Sequence, residues 1–267
     1  HAAIVAGAAL ASLAFAFLNN GHLQECLAAG LGAACGKYVQ LLLRRARLNH
    51  LAIVTVAAFV AAAVFVLTGW AMHAALPGTS QAVHAAAFTS AILFLVPGFP
   101  LLTAALDLTR FDFTAGTARL WYAGLIIFAA GIGAWLVAWG FGLTPAPLAP
   151  LDVSPPALLA LRLLAGFAGV FGFAVTFNTP WRIALMTSAI GMLANTGRLL
   201  IVDEGGHPLV AATAATLAVG LMAGWTSQRF AAPRIIMSVP AVLIMIPGAA
   251  AFRALVGLVN GDVLEAL

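Results

Sequence analysis

Nine stretches of the chain, near residues 2–18, 22–43, 51–75, 84–105, 115–142, 156–177, 181–202, 208–226 and 235–257, are apolar over about the 20 residues that a helix needs to cross a bilayer. In hydrocarbon each backbone N–H and C=O must be satisfied within the segment, which restricts such stretches to helices. Only 7% of the residues are charged and 63% are hydrophobic, whereas a soluble domain carries about 25% charged residues. The expected fold class is therefore all-α, a polytopic membrane protein with about nine spans visible and a tenth expected after residue 267. No basic region with a small-residue cleavage site precedes residue 2, so the first apolar stretch reads as a span and not as a signal peptide.

Thr144-Pro145-Ala146-Pro147-Leu148-Ala149-Pro150, then Asp152, Ser154, Pro155 and Pro156, cannot continue a helix and reads as an exposed linker. It divides the chain into a first five-helix repeat, 1–143, a Pro-rich linker, 144–155, and a second repeat, 156–267. Short loops rich in Lys and Arg stay cytoplasmic. Arg44, Arg45, Arg47, Arg110, Arg119, Arg182, Arg229 and Arg234 fall on one side of alternating crossings, and Asp152, Asp203, Glu204, Asp262 and Glu265 on the other, with Arg253 as an exception. The formal charge of +4 is thus loop charge that orients the chain with a cytoplasmic N-terminus, not a nucleic-acid footprint.

The halves resemble each other. Phe15 to Asn19, Gly32 and Arg44 run parallel to Phe173 to Asn178, Gly191 and Arg198 at an offset near 159, which pairs Asn19 with Asn178. Pro97-Gly98 and Pro247-Gly248 repeat at an offset of 150. Five spans per half is an odd number, so the second half enters from the opposite side: two inverted-topology repeats, a scaffold of secondary transporters.

The segments FTSAILFLVPGFPLLTAALDLTRFDFTAGTARLWYAG, FNTPWRIALMTSAIGMLANTGRLL and VPAVLIMIPGAAAFRALVGLVNGD carry a resemblance to the threonine/serine exporter family, the first to its first domain and the others to its second. The resemblance implies ten spans in a bacterial inner membrane and export of small hydroxy amino acids; split two-subunit relatives are associated with dicarboxylate export. It also implies a cytoplasmic region ahead of the first span and a tenth helix, both expected outside these 267 residues.

Each Pro-Gly pair is expected to break its span, the fourth and the ninth, near the midplane. Proline removes a backbone donor, and glycine permits a φ > 0 turn or the close approach of a ligand. Freed carbonyls and the positive end of the following half-helix suit an ammonium and a carboxylate, the two groups that every amino acid carries. Pro97, Gly98, Pro247 and Gly248 are accordingly candidate substrate-binding residues. The competing reading is a packing kink.

Ionisable groups within spans are functional candidates because burying them costs several kcal/mol. Glu25 and Lys37 in span two, and Asp107 after the first Pro-Gly pair, are candidates for proton coupling or gating. Arg198, with Asn195 three residues before it on the same face, is a candidate substrate ligand, as are Asn19 and Asn178. Against these stand snorkelling for Lys37 and Arg198, a solvated ion-pair cluster for Asp107, and helix capping for the two asparagines. Cys26 and Cys35, nine residues apart, are about 13 Å apart along a helix and cannot bridge. The histidines lack ligand spacing, and most tryptophans mark span ends.

No nucleophile elbow, zinc motif or phosphate loop is found, so neither an enzyme nor a cofactor is expected. The expected function is secondary export of threonine and serine by alternating access driven by the proton motive force, with a dicarboxylate exporter as the alternative. An intramembrane enzyme and a non-transporting scaffold are the readings of other classes. The expected partners are the small-molecule substrate, protons and the lipid bilayer, with assembly into a homo-oligomer left open and nucleic acid excluded.

Overall fold

The computed structural model describes residues 1–75, 84–143 and 151–245. Pro247, Gly248, Arg253, Asp262, Glu265, most of the Pro-rich linker and the end of the ninth expected span lie outside the described residues.

The chain is a helical membrane protein: α1 (Ala2–Leu18), α2 (Leu23–Arg45), α3 (His50–Ala75), α4 (Ala85–Ala91), α5 (Gly98–Thr109), α6 (Phe113–Gly140), α7 (Pro155–Thr176), α8 (Trp181–Asp203), α9 (Pro208–Phe230) and α10 (Arg234–Leu243). Among the described residues α2, α3, α6, α7, α8 and α9 are long and apolar enough to span a membrane; α1, α5 and α10 are shorter. Large apolar side chains such as Trp121, Trp139, Leu164, Leu209 and Leu221 point outward, as a bilayer permits.

The fourth span is two pieces, and the interruption is longer than the Pro-Gly pair. Helix α4 ends at Ala91, a 3-10 turn covers Leu93–Leu95, and α5 begins at Gly98. Pro97 has no N–H to donate and excludes helical φ/ψ for the residue before it, and Val96 is extended at φ −60°, ψ 123°. The upstream chain tightens, with Leu95 N–H donating to Ile92 O at 3.0 Å. At an offset of 150, Met245 N–H donates to Val242 O at 2.9 Å where α10 ends. The same tightened turn thus stands two residues ahead of each Pro-Gly pair.

Helix ends correct one sequence match. Asn20 and Asn178 hold left-handed φ of 66° and 58° immediately past α1 and α7, a conformation that asparagine tolerates better than most residues. Gly21 N–H then closes on Ala16 O at 2.8 Å, and Thr179 N–H on Ala174 O at 2.9 Å. The structural equivalent of Asn178 is therefore Asn20, not Asn19, at an offset of 158. From these turns α2 and α8 each run 23 residues, starting at Leu23 and Trp181, again 158 apart.

The halves meet along α1 and α7, which cross antiparallel: Gly7 faces Gly172 and Thr176, Ala11 faces Gly172, and Ala14 faces Gly169. A Cβ on Gly172 would stand 2.5 Å from Gly7 O and 2.7 Å from Ala11 N. Such small-residue contacts are what bring helices together in lipid, where apolar transfer supplies no drive. Within the first half α1 packs on α2, α2 on α3 and α4, and α4 on α1 and α3; within the second, α7 packs on α8, α8 on α9 and α10, and α10 on α7 and α9. Gly32 abuts Ala91, and Gly191, one residue out of the 158-residue register, abuts Ala241. Phe15, Leu93, Val170, Phe173, Val239 and Leu243 form a core drawn from both halves.

Candidate transport site

The buried break of span four faces the second half. Pro97 and Gly98 are both buried, and Gly98 lies so close to α10 that an added Cβ would be 2.6 Å from Leu243 Cδ2. Gly98 is absent from the residues with positive φ, so its role is close approach and not a left-handed turn, contrary to one expectation. Phe99, the next residue, stacks edge-on against Phe177 at the end of α7, with ring centroids 5.0 Å apart. Beside this contact lies a cavity of about 140 Å³ lined by Gly98, Leu101, Leu102, Val239, Val242 and Leu243. It sits between the first turn of α5 and the last turn of α10. The lining side chains are all apolar, so the space suits one small apolar group and not water.

Lys37 lies beside the same break. It is 7% exposed, donates from Nζ to Gln40 Oε1 at 2.9 Å, and holds Nζ 5.6 Å from the centroid of Phe94 in the 3-10 turn. No carboxylate pairs with it among the described residues. The snorkelling expectation does not describe this side chain, which bonds a buried amide on its own helix.

The 158-residue offset sets Lys37 on Asn195 and Gln40 on Arg198. In α8, Arg198 Nε donates to Asn195 Oδ1 at 3.0 Å. Each half therefore carries a hydrogen-bonded amide–cation pair at the same two positions of its second helix, with the order of amide and cation exchanged. Asn195 is 0% exposed, and its Nδ2 has no hydrogen-bond partner. Arg162, buried on α7, forms an ion pair with Asp203 at the end of α8; its Nη2 lies 3.2 Å from Oδ1, and Nη1 closes the pair. Gln40 and Arg162 were not singled out in the sequence. The offset of 158 would have found Gln40, but nothing local announces a pair 41 residues apart.

The other candidates lie at helix ends. Glu25, in the first turn of α2, accepts from His22 N at 3.0 Å and pairs with His84 Nδ1 at the start of α4. Asp107 pairs with Arg119 across the α5–α6 turn, and Asp112 caps α6 by accepting from Ala115 N at 3.1 Å. Asn19 Nδ2 donates to Phe15 O at 2.8 Å, and Asn178 is exposed; both terminate helices. Cys26 is buried and Cys35 exposed, both unbridged. Lys37 thus stands against the 3-10 turn ahead of Pro97 and Gly98, Asn195 and Arg198 form a second group, and Glu25, Asp107, Asn19 and Asn178 stand apart.

A family model described as a threonine/serine exporter matches residues 1–141. The chain belongs to the threonine/serine exporter family. A second model of this family, "Threonine/Serine exporter, ThrE", matches residues 162–267, so the two matches divide the exporter sequence between the end of α6 and the buried Arg162. A threonine/serine exporter of Corynebacterium glutamicum is 26% identical over 179 residues, 66% of this chain and 36% of the relative. An uncharacterized Haemophilus influenzae protein is 30% identical over 136 residues, 47% of this chain and 46% of that protein. The matched stretches thus span less than half the length of either relative. No solved structure matches the chain.

Proposed function

We propose that this chain is the membrane-spanning core of a secondary exporter of small hydroxy amino acids, threonine and serine foremost, working by alternating access coupled to the proton motive force in a bacterial inner membrane. The carrying observation is the position of the fourth-span break: Gly98 opens α5 against the last turn of α10, and a small cavity lies between them. Broken helices that meet at the interface of two inverted halves are the recurrent binding site of secondary transporters. The antiparallel α1–α7 crossing, the repeated packing order and the matched tightened turns support that symmetry, with Pro247-Gly248 as the second break. Family membership supports export, and the loop charges favour a cytoplasmic N-terminus.

In this reading the cavity takes the short side chain of the substrate, while the N-terminal turn of α5 and the Lys37 ammonium attract its carboxylate. Asp107, paired with Arg119 at the end of α5, is the proton-responsive gate: protonation releases the arginine and frees the half-helix to move. Purified protein in liposomes tests the proposal. Counterflow of labelled threonine, competed by serine, is the expected result, and its absence with correctly folded protein sinks the reading.

One observation favours dicarboxylate export as a second reading. Lys37 and Arg198 each lack a carboxylate partner among the described residues, so a cargo with two carboxylates would meet one unpaired cation beside the break and another further along α8. Stronger competition by succinate than by serine would select it.

A further inference from the structure

Where α7 begins and α8 ends, the helices carry Arg162, Arg198 and Asp203, with Glu204 and Asp152 in the adjoining loops. Arg162 is 8% exposed and engages both oxygens of Asp203. Arg198 is half-buried; its Nε is taken by Asn195 Oδ1, and neither of its Nη groups has a protein partner among the described residues. Asp203 therefore neutralises one arginine, and the second remains a cation inside a membrane helix, a placement that costs several kcal/mol without compensation. Beside it is an orphaned donor: Asn195 is fully buried, and its Nδ2 bonds to nothing.

An uncompensated guanidinium fork and an unpartnered amide N–H on one hydrogen-bonded pair demand the same remedy, an anion with at least two acceptor oxygens. We infer that Arg198 and Asn195 form a carboxylate-binding subsite, with the Arg162–Asp203 ion pair beside it holding the resident countercharge. The planar fork matches a carboxylate, and the amide adds a third donor. Its place along α8 follows from the packing. Gly191 abuts Ala241, two residues before Leu243 at the cavity, and Arg198 lies seven residues further on, about 10 Å along the helix axis. The subsite is therefore a separate station some two turns from the cavity, toward the side that the acidic loops mark as exterior. Its role as a release station rests on the exporter reading; its capacity to bind a carboxylate does not.

The test compares L-threonine, threoninamide and succinate as ligands of the full chain in maltoside micelles, which carry no phosphate, with binding read by calorimetry and transport read separately by counterflow. Wild-type protein is expected to prefer threonine over threoninamide, and Arg198→Gln to lose roughly 10- to 100-fold of threonine affinity while leaving threoninamide nearly unchanged, as removal of charge-assisted hydrogen bonds implies. Asn195→Asp guards against a folding defect. It supplies Arg198 with an internal carboxylate and is expected to raise the melting temperature while abolishing the preference for threonine. A purely structural pair would show the stabilisation alone. Tighter binding of succinate than threonine, lost in the same variants, would place the carboxylate on a dicarboxylic acid and keep the subsite. Undiminished preference for threonine in both variants, or none in the wild type for either acid, overturns the inference. Carboxylate binding without counterflow would remove the exporter reading and leave the subsite standing.

Discussion

Gly98→Ala adds one carbon where the structure leaves no room for it. The new Cβ would stand 2.6, 2.8 and 2.9 Å from Cδ2, Cδ1 and Cγ of Leu243, against an optimum of about 3.5–4.0 Å for a carbon pair. Gly98 is not at positive φ, so the entire cost is contact and none is backbone strain. Leu243 is 2% exposed, and the open direction for it is the cavity of about 140 Å³ that its own side chain lines. The substitution therefore either overpacks the junction, at about 1–3 kcal/mol, or pushes Leu243 into the space assigned to substrate. If that space is the site, transport per folded molecule should fall by about 5- to 150-fold, the equivalent of the same free energy. Leu243→Ala deletes all three clashing atoms. The assay is a double-mutant cycle on threonine counterflow, normalised to the folded fraction by fluorescence-detected gel filtration. The double variant should return to the activity of Leu243→Ala alone. Wild-type specific activity in Gly98→Ala, or a double variant whose losses simply add, would refute the reasoning.

Other substitutions separate packing from transport. Gly172→Ala meets backbone atoms of α1 at 2.5 and 2.7 Å, which cannot yield as a side chain can; it should cost about 1–3 kcal/mol and lower Tm, and unchanged Tm would show that the helices part freely. Lys37→Met removes a buried cation that has no carboxylate partner among the described residues, so Tm should rise while export falls; loss of both would make Lys37 structural. Asp107→Asn breaks a partly solvated ion pair worth at most about 1 kcal/mol, so stability should barely move while the pH dependence of export flattens; a wild-type pH profile would remove Asp107 from the gate.

Spans were legible because length in hydrocarbon is a crude and robust requirement, and α1, α2, α3, α7 and α8 fall within one or two residues of their expected ends. Asn20 and Asn178 past α1 and α7, and Pro155 and Pro180 at the starts of α7 and α8, set four of those ends by chemistry that acts locally. The gap from Ile92 to Pro97 was read too short because Pro97 forbids only its own hydrogen bond and the conformation of Val96; the tightening upstream comes from packing Leu93, Phe94 and Leu95 into cores built by other helices. Lys37, Asn195 and Arg198 were visible as misplaced polar residues. Their partners were not all visible: Arg162 finds Asp203 and Glu25 finds His84 only through helix packing. Counting from helix starts, at 158, and not from a shared glycine, at 159, would have exposed Gln40 as the counterpart of Arg198.

The glycine-lined crossing of α1 and α7 also bears on how the protein is made. Leu18 and Thr176 are separated by 158 residues of synthesis, about 8–30 s at roughly 5–20 residues per second. For that interval α1 stands in the membrane with the stripe Gly7, Ala11 and Ala14 open and with the Ser12 hydroxyl, buried and unbonded even in the finished fold, close to it. A stripe of small residues is equally suited to another copy of itself. The wait for α7 is thus the interval in which two nascent chains can mispair. Slowing elongation between residues 143 and 176 should raise the yield of α1–α1 crosslinks through a cysteine placed at Ala11, and speeding it should lower that yield.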